Sequence, residues 1–165
     1  RLLGWSFVPA TVIREGPHGI GSVQLYVEHN PRVHFARFKD QHLEELRVFA
    51  AFDLVANNAD RKSIHVLKGQ DGKLWGIDHG LTFNVWPKLR TVIWDVCGQP
   101  IPSDLIAALR RFCDDPAIRR ATDLTLGRLL AQAEMDALYQ RIERVLRDPC
   151  YPMLDPYRNV PFEWF

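Results

Sequence analysis

FDLVANNADRKSIHVLKGQDGKLWGIDHGLTF, residues 52–83, is the stretch on which the reading of this chain turns. Two strand-like runs, residues 64–68 and 73–77, flank Gly69-Gln70-Asp71-Gly72, a connection of turn-forming residues, so the chain is expected to go out and return as a β-hairpin. Asp60 stands shortly before the first run and Asp78 directly after the second. A hairpin therefore brings two carboxylates 18 positions apart in sequence to one end of a ribbon.

Upstream, residues 40–56 carry Leu43, Leu46, Phe49, Ala50, Phe52 and Val55 at three- and four-residue steps, the pattern of a helix with one apolar face. Asp40 is expected to cap its start, with Glu44 and Glu45 at the positive end of its dipole. Asn57 and Asn58 favour turns over helix interiors and are expected to end it near Ala56. That places Asp60 on a loop between a buried helix and a strand, where a rigid scaffold can hold an exposed reactive group.

Further upstream, residues 8–14 and 22–28 read as a first hairpin around Gly16-Pro17-His18-Gly19-Ile20-Gly21. Those glycines have neither dinucleotide-fingerprint nor Walker spacing and lie between strands, so they are read as a turn. Gln24-Leu25-Tyr26-Val27-Glu28 runs into polar His29-Asn30-Pro31-Arg32, as a strand entering an interdomain connection would. Downstream, Ser103 looks like a helix cap, and Leu105, Ile106, Leu109 and Phe112 mark a short helix. Asp114-Asp115-Pro116 is a stop and a new start. Residues 131–147 form an amphipathic helix whose Glu134, Asp136, Arg141, Glu143 and Arg144 are read as a solvated face. The proline-rich tail from Asp148 is expected to be extended over the helices, and Trp75 and Trp94 to fill the core.

Composition narrows the classes. With 165 residues, 47% of them hydrophobic, the chain can bury one sizeable core. Lys plus Arg (21) nearly equal Asp plus Glu (20), which argues against nucleic acid. Cys97, Cys113 and Cys150 are widely spaced and odd in number, which fits reduced thiols and a cytoplasmic setting. No run is long and apolar enough for a transmembrane segment. The chain starts at Arg1, not Met, so upstream sequence is expected to be missing.

The chemistry around the double-acid hairpin suits phosphoryl transfer, in which a protein mainly supplies a positioned carboxylate, metal-held phosphates and cations. Asp60 can orient or deprotonate an acceptor hydroxyl, Lys62 can face the transferring phosphate, and Arg61 either assists or anchors the loop through a carboxylate. Asp78 and His65 are the candidate metal ligands, and Gly80 is expected to let the backbone turn beside an ion. A pair of other readings stands beside this one. The chain is then either a nucleotide-binding pseudokinase acting through a partner, or a metal-dependent hydrolase using Asp60, His65, Asp78 and His79.

These residues resemble the phosphatidylinositol 3-/4-kinase-like superfamily, most closely the type II phosphatidylinositol 4-kinases and a set of actinobacterial proteins labelled phosphatidylinositol kinase-like. Residues 21–28 resemble the last N-lobe strand and hinge, Asn58-Ala59-Asp60-Arg61 the catalytic loop, and Ile77-Asp78-His79-Gly80-Leu81-Thr82-Phe83 the metal-binding loop. The likeness covers residues 8–85 and implies an α+β fold: the mostly helical C-terminal lobe of a protein-kinase-like fold with two β-hairpins and the N-lobe largely absent. Residues 1–30 would be the remnant of N-lobe strands and hinge, and residues 31–165 the helical C-lobe. It further implies an ATP-dependent kinase using Mg2+ or Mn2+, with Tyr26, Val27 and Glu28 at the nucleotide and a lipid, protein or small-metabolite acceptor left open. Where the family usually has Asn five positions after the catalytic Asp, this chain has His65. No glycine-rich phosphate cover, strand lysine or partner glutamate precedes Val8, so the missing N-terminal lobe is expected upstream and the fragment alone is expected to be inactive.

Overall fold

The computed structural model describes residues 2–162. It is α+β, with small antiparallel hairpins set against a helical body. The described elements are β1 (Thr11–Gly16), β2 (Gly19–Gln24), α1 (Phe35–Phe38), α2 (Leu43–Ala56), β3 (Val66–Lys68), β4 (Leu74–Gly76), α3 (Ser103–Asp114), α4 (Pro116–Thr125) and α5 (Gln132–Arg147). Short 3-10 turns lie at Lys39–His42, Ser63–His65 and Leu126–Arg128. Strand β1 pairs with β2 and β3 with β4, each pair forming a separate antiparallel ribbon.

Helix α2 is the centre of the core. Leu46, Phe49, Ala50, Ala51 and Val55 are buried along it, and Leu74, Ile93, Leu109 and Ile142 reach the same cluster from β4, the loop after residue 90, α3 and α5. Burying each large aliphatic or aromatic chain contributes about 1.5–3 kcal/mol, enough for this helix to hold its neighbours in register. The helix ends where Asn57 takes a left-handed conformation at φ 53°, with its N–H on the Asp53 carbonyl. Asparagine is among the few residues that accept this conformation readily.

The β3–β4 ribbon lies over α2. Val66, Leu74 and Gly76 face the core and are buried, whereas Leu67 and Trp75, paired on the opposite face, are half-buried. Gly76 has a packing reason to be glycine: a Cβ there would stand 2.8 Å from Phe7 Cδ2 and 3.0 Å from Phe49 Cε1. Phe7 packs on Phe49 with ring centroids 4.2 Å apart, and its carbonyl accepts the Gly76 N–H at 2.8 Å. The segment before β1 is thereby fastened to the second ribbon. The first ribbon is mostly exposed, including Val12, Ile13, Ile20 and Val23.

Several expectations from sequence are corrected. Pro9 bars a strand at residue 8, and the first ribbon closes more tightly than expected: Gly16 pairs with Gly19, leaving Pro17 and His18 as the turn. Residues 25–28 lie beyond β2. Asp40 caps no helix, because the chain already turns helically at Phe35, whose ring and that of Phe38 are buried, and continues through a 3-10 turn to α2. Both strands of the second hairpin are shorter than the predicted runs, β3 starting late because residues 63–65 form a 3-10 turn. Ser103 is the first residue of α3 and not its cap, which is Pro102. Asp115 does cap α4, accepting from the amides of Ala117 and Ile118 at 2.8 and 3.3 Å, with Pro116 in the first turn.

Arg141 is not on a solvated face. Its guanidinium is half-buried, donating to the carbonyls of Val55 at 2.7 Å and Asn84 at 3.1 Å, because α5 packs against the end of α2. The tail is extended as expected and is fixed by Tyr151, whose hydroxyl donates to the Arg47 carbonyl at 2.7 Å. Among the described residues no helix is long and apolar enough to cross a membrane.

Candidate functional site

The loop after α2 is held from below by a buried ion pair. Arg61 donates from Nε to Asp53 Oδ2 and from Nη2 to Asp53 Oδ1, both at 2.9 Å, and its Nη1 donates to the Ile77 carbonyl at 3.2 Å. Both side chains are 0% exposed. Asn58 completes the support: its Nδ2 donates to Asp53 Oδ1 at 2.8 Å and its Oδ1 accepts the Asp60 amide at 3.0 Å. The Arg61 amide donates to the Arg90 carbonyl, and its own carbonyl accepts from Val92, so the backbone directly after Asp60 is hydrogen-bonded on both sides of Arg61. Of the two roles weighed for Arg61, anchoring through a carboxylate is the one seen. A guanidinium with no exposed surface does not meet a substrate.

Asp60 and Lys62 are carried on top of this anchor. Asp60 Oδ2 lies 2.9 Å from Lys62 Nζ, and the two side chains are 20% and 22% exposed. Three residues further on, His65 turns back inside its 3-10 turn. Its Nδ1 is 2.8 Å from the carbonyl oxygen of Asp60. A carbonyl only accepts, so Nδ1 is the donor in this contact, while the Lys62 amide lies 3.4 Å from the same nitrogen. Nε2 lies 3.4 Å from Asp78 Oδ2, and the Asp78 side chain is 64% exposed while that of His65 is 6% exposed.

Asp78 reaches this position through a turn at its own α-carbon. The Ile77 amide donates to the His65 carbonyl at 3.0 Å, extending the ribbon by one step, and Asp78 then adopts φ 54°. Such a conformation is uncommon for a residue with a side chain and costs about 1–3 kcal/mol, a type of strain that gathers at functional sites. The sharp turn was expected at Gly80, which has an ordinary φ; a Cβ there would lie at normal contact, 3.7 Å from Asp78 Oδ1.

Next along, His79 is wedged edge-on between Phe52 and Phe7, with centroids 5.2 and 6.1 Å away. Burial first, and then the nearby Arg61 charge, push its pKa down to about 3. Its Nε2 is buried without a hydrogen-bond partner. The imidazole therefore stays neutral and acts as part of the packing.

Asn57 supplies a second clamp. Its Nδ2 donates to the carbonyls of Asn84 at 2.8 Å and Trp86 at 2.7 Å, and its Oδ1 accepts the Lys88 amide at 2.8 Å. The Ala59 amide donates to the Leu81 carbonyl, so the loop following Asp78 runs beside the loop carrying Asp60.

The far end of the ribbon touches the predicted nucleotide segment. The Gln70 amide donates to the Glu28 carbonyl at 3.0 Å, and His29 forms a bridge with Gly69. A cavity of about 220 Å³ lies there, lined by Tyr26, Val27, Glu28, Gly69 and Trp75 among others. Trp75, expected in the core, instead forms part of this wall with Lys73 Nζ 4.0 Å above its ring.

Sequence reasoning missed Asp53. The available signal was a lone carboxylate inside an otherwise apolar helix, eight positions before an arginine. It also undervalued Asn57, read only as a helix-ending residue, and gave Asn58 a place in the catalytic-loop likeness without the supporting role seen here. Among the described residues no group of three or more His, Cys, Asp or Glu side chains converges in a way that could hold a metal. The four residues of the hydrolase reading do not form such a set, because Asp60 faces Lys62 and His79 is enclosed by aromatic rings.

No protein-family model matches the chain, and no solved structure matches it. Protein Rv2133c of Mycobacterium tuberculosis is 34% identical over 198 aligned residues, a match that takes in 99% of this chain and 70% of that protein. At that identity and coverage, the chain belongs to the same family as protein Rv2133c.

Proposed function

We propose that this chain is the catalytic and metal-binding part of an ATP-dependent phosphotransferase with the C-lobe of a protein-kinase-like fold, acting on a hydroxyl acceptor. The observation that carries the reading is the His65 imidazole. It ties the Asp60 loop to the Asp78 loop, with Nδ1 2.8 Å from the Asp60 carbonyl and Nε2 3.4 Å from the exposed Asp78 carboxylate. A nitrogen oriented by donation from its other N–H to a carbonyl is the usual setting of a metal-ligating histidine. Two protein ligands suffice where substrate phosphates and water complete the coordination, so the donor set fits a divalent ion bound together with nucleotide.

In this reading Asp78 and His65 hold the ion, which offsets charge on the nucleotide phosphates. Asp60, whose backbone is fixed by Asn58 and His65, accepts the proton of the acceptor hydroxyl or orients it. Lys62 exchanges its bond to Asp60 for one to the transferring phosphate and balances charge there. Arg61 positions the loop without touching substrate. The base end of the nucleotide lies by Tyr26, Val27 and Glu28, and the half-buried Leu67–Trp75 face of the ribbon forms the floor between the two ends. From the turn to Ile77 the ribbon runs about 13 Å at the rise of an extended strand, the scale of a nucleoside triphosphate.

The reading is tested by phosphoryl transfer from ATP in the full-length protein. Asp60→Asn lowers turnover by about 100-fold or more, in line with loss of a general base, while ATP affinity is unchanged. Turnover equal to that of the parent would refute the role given to Asp60.

A further inference from the structure

We infer that the C-terminal tail is a strap that sets the position of Asp60, with Asn159 as the positioning residue and Arg90 as the link between them. The inference rests on the phosphotransferase reading for what Asp60 does, and on this chain's own hydrogen bonds for how Asp60 is placed.

Arg90 is the middle rung. Its amide donates to the Asn58 carbonyl at 2.9 Å and its carbonyl accepts the Arg61 amide at 3.0 Å, so both of its backbone groups are spent on residues to either side of Asp60. Val92 then donates to the Arg61 carbonyl, and Arg61 and Thr91 form a parallel bridge. Residues 90–92 therefore run alongside the loop that carries Asp60 and Lys62.

Asn159 holds the same segment from its other side. Its Nδ2 donates to the Leu89 carbonyl at 2.6 Å and its own carbonyl accepts the Thr91 amide at 3.0 Å, one bond on each side of Arg90. The residue is itself fixed within the tail: its amide donates to the Asp155 carbonyl at 2.9 Å, and its Oδ1 accepts the Asp155 amide at 2.8 Å. Amide, carbonyl and both ends of the side chain are thus engaged. Two residues on, Pro161 is buried, and the Arg90 guanidinium lies over the Phe162 ring at 5.3 Å.

Packing alone would not need this arrangement, since Tyr151 and Pro161 already seat the tail on the body. Asparagine suits the position because one short side chain carries both an acceptor, which closes the tail's turn, and a donor, which reaches Leu89. The bonds it adds enclose the one residue that encloses Asp60. A misplacement of about 1 Å at a reacting group costs about 100-fold in rate, so a strap acting through Arg90 governs turnover without touching substrate.

The test is residue-resolved hydrogen exchange together with steady-state kinetics in ATP, on the full-length protein, Asn159→Ala and Asn159→Asp. The aspartate keeps an acceptor for the Asp155 amide and lacks the donor to Leu89, so it separates an intact tail turn from a cut strap. In both variants the Arg61 and Arg90 amides are expected to exchange about tenfold faster, the sign of lost local protection, while the Phe49 amide in the core keeps the parent's rate. Turnover is expected to fall about tenfold with KM for ATP unchanged, as for a slightly misplaced group. Exchange at Arg61 and Arg90 as slow as in the parent overturns the inference, and so does an equal rise at Phe49, which marks general destabilisation. Faster exchange at the two amides with unchanged turnover overturns the positioning role and leaves the phosphotransferase reading standing. Faster exchange confined to them, in a protein whose parent form transfers no phosphoryl group from ATP, keeps the strap and removes the phosphotransferase reading. If neither variant folds, Phe162→Ala, whose ring is 70% exposed, tests the same link through Arg90 and is read in the same way.

Discussion

Arg61 and Asp53 form a two-pronged ion pair in which neither side chain has any exposed surface, and the loop carrying Asp60 is built on top of it. Removing one partner strands the other charge in the core. Asp53→Ala or Arg61→Ala is therefore expected to cost about 3–5 kcal/mol, measured as the shift in urea unfolding. Arg61→Lys should recover little, because a single ammonium cannot reproduce the fork. A loss below about 1 kcal/mol would be at odds with the buried pair, since that is the range of surface ion pairs.

Gly76 tests how tightly the segment before β1 is locked to the second ribbon. With Phe7 Cδ2 only 2.8 Å from a built Cβ, Gly76→Ala is expected to destabilise the chain by about 1–3 kcal/mol. It should also raise hydrogen exchange at the Gly76 amide, which donates to Phe7. Exchange as slow as in the parent would mean that the two segments are not coupled as described.

Asn57 makes a comparable prediction for the loop after Asp78. Asn57→Ala removes three side-chain hydrogen bonds to Asn84, Trp86 and Lys88 and leaves a left-handed residue without its favoured side chain. The expected cost is about 1–3 kcal/mol, with new proteolytic cleavage near the exposed Trp86 and Lys88. An unchanged cleavage pattern would show that the clamp is dispensable.

His79 links stability to pH. Its folded pKa is about 3 because of burial and the Arg61 charge, against about 6.5 when unfolded. Between these values the unfolded chain takes up a proton that the folded chain refuses. The contribution is therefore complete above pH ~6.5 and is lost as pH falls toward ~3, at up to about 1.4 kcal/mol per pH unit. In metal-free protein, His79→Phe should flatten that slope between pH 6.5 and 4.5 in urea titrations. A slope identical in the two proteins would place the acid sensitivity elsewhere.

The two hairpins and α2 were legible because alternation, turn residues and helical spacing are local patterns. That Asp60, Lys62, His65 and Asp78 lie together was legible for the same reason, since a hairpin defines which residues share an end. What escaped depends on contacts distant in sequence. Arg141 reads as polar helix surface until Val55 and Asn84 are seen to meet it, and Asp53 reads as a blemish in an apolar face until Arg61 arrives. The turn at Asp78 was assigned to Gly80 because glycine is the default for unusual dihedrals. The protein instead places the strained dihedral on the residue that presents the carboxylate. Trp75 was assigned to the core from its size, whereas its ribbon face is left open beside Tyr26 and Glu28.

The most direct measurement of the central claim is a calorimetric titration of the full-length protein with ATP and a divalent ion, compared with Asp78→Asn. The account predicts metal-dependent nucleotide binding in the parent and its loss in Asp78→Asn, with the variant folding normally because the side chain is exposed. Metal-dependent binding of equal strength in both proteins would contradict it.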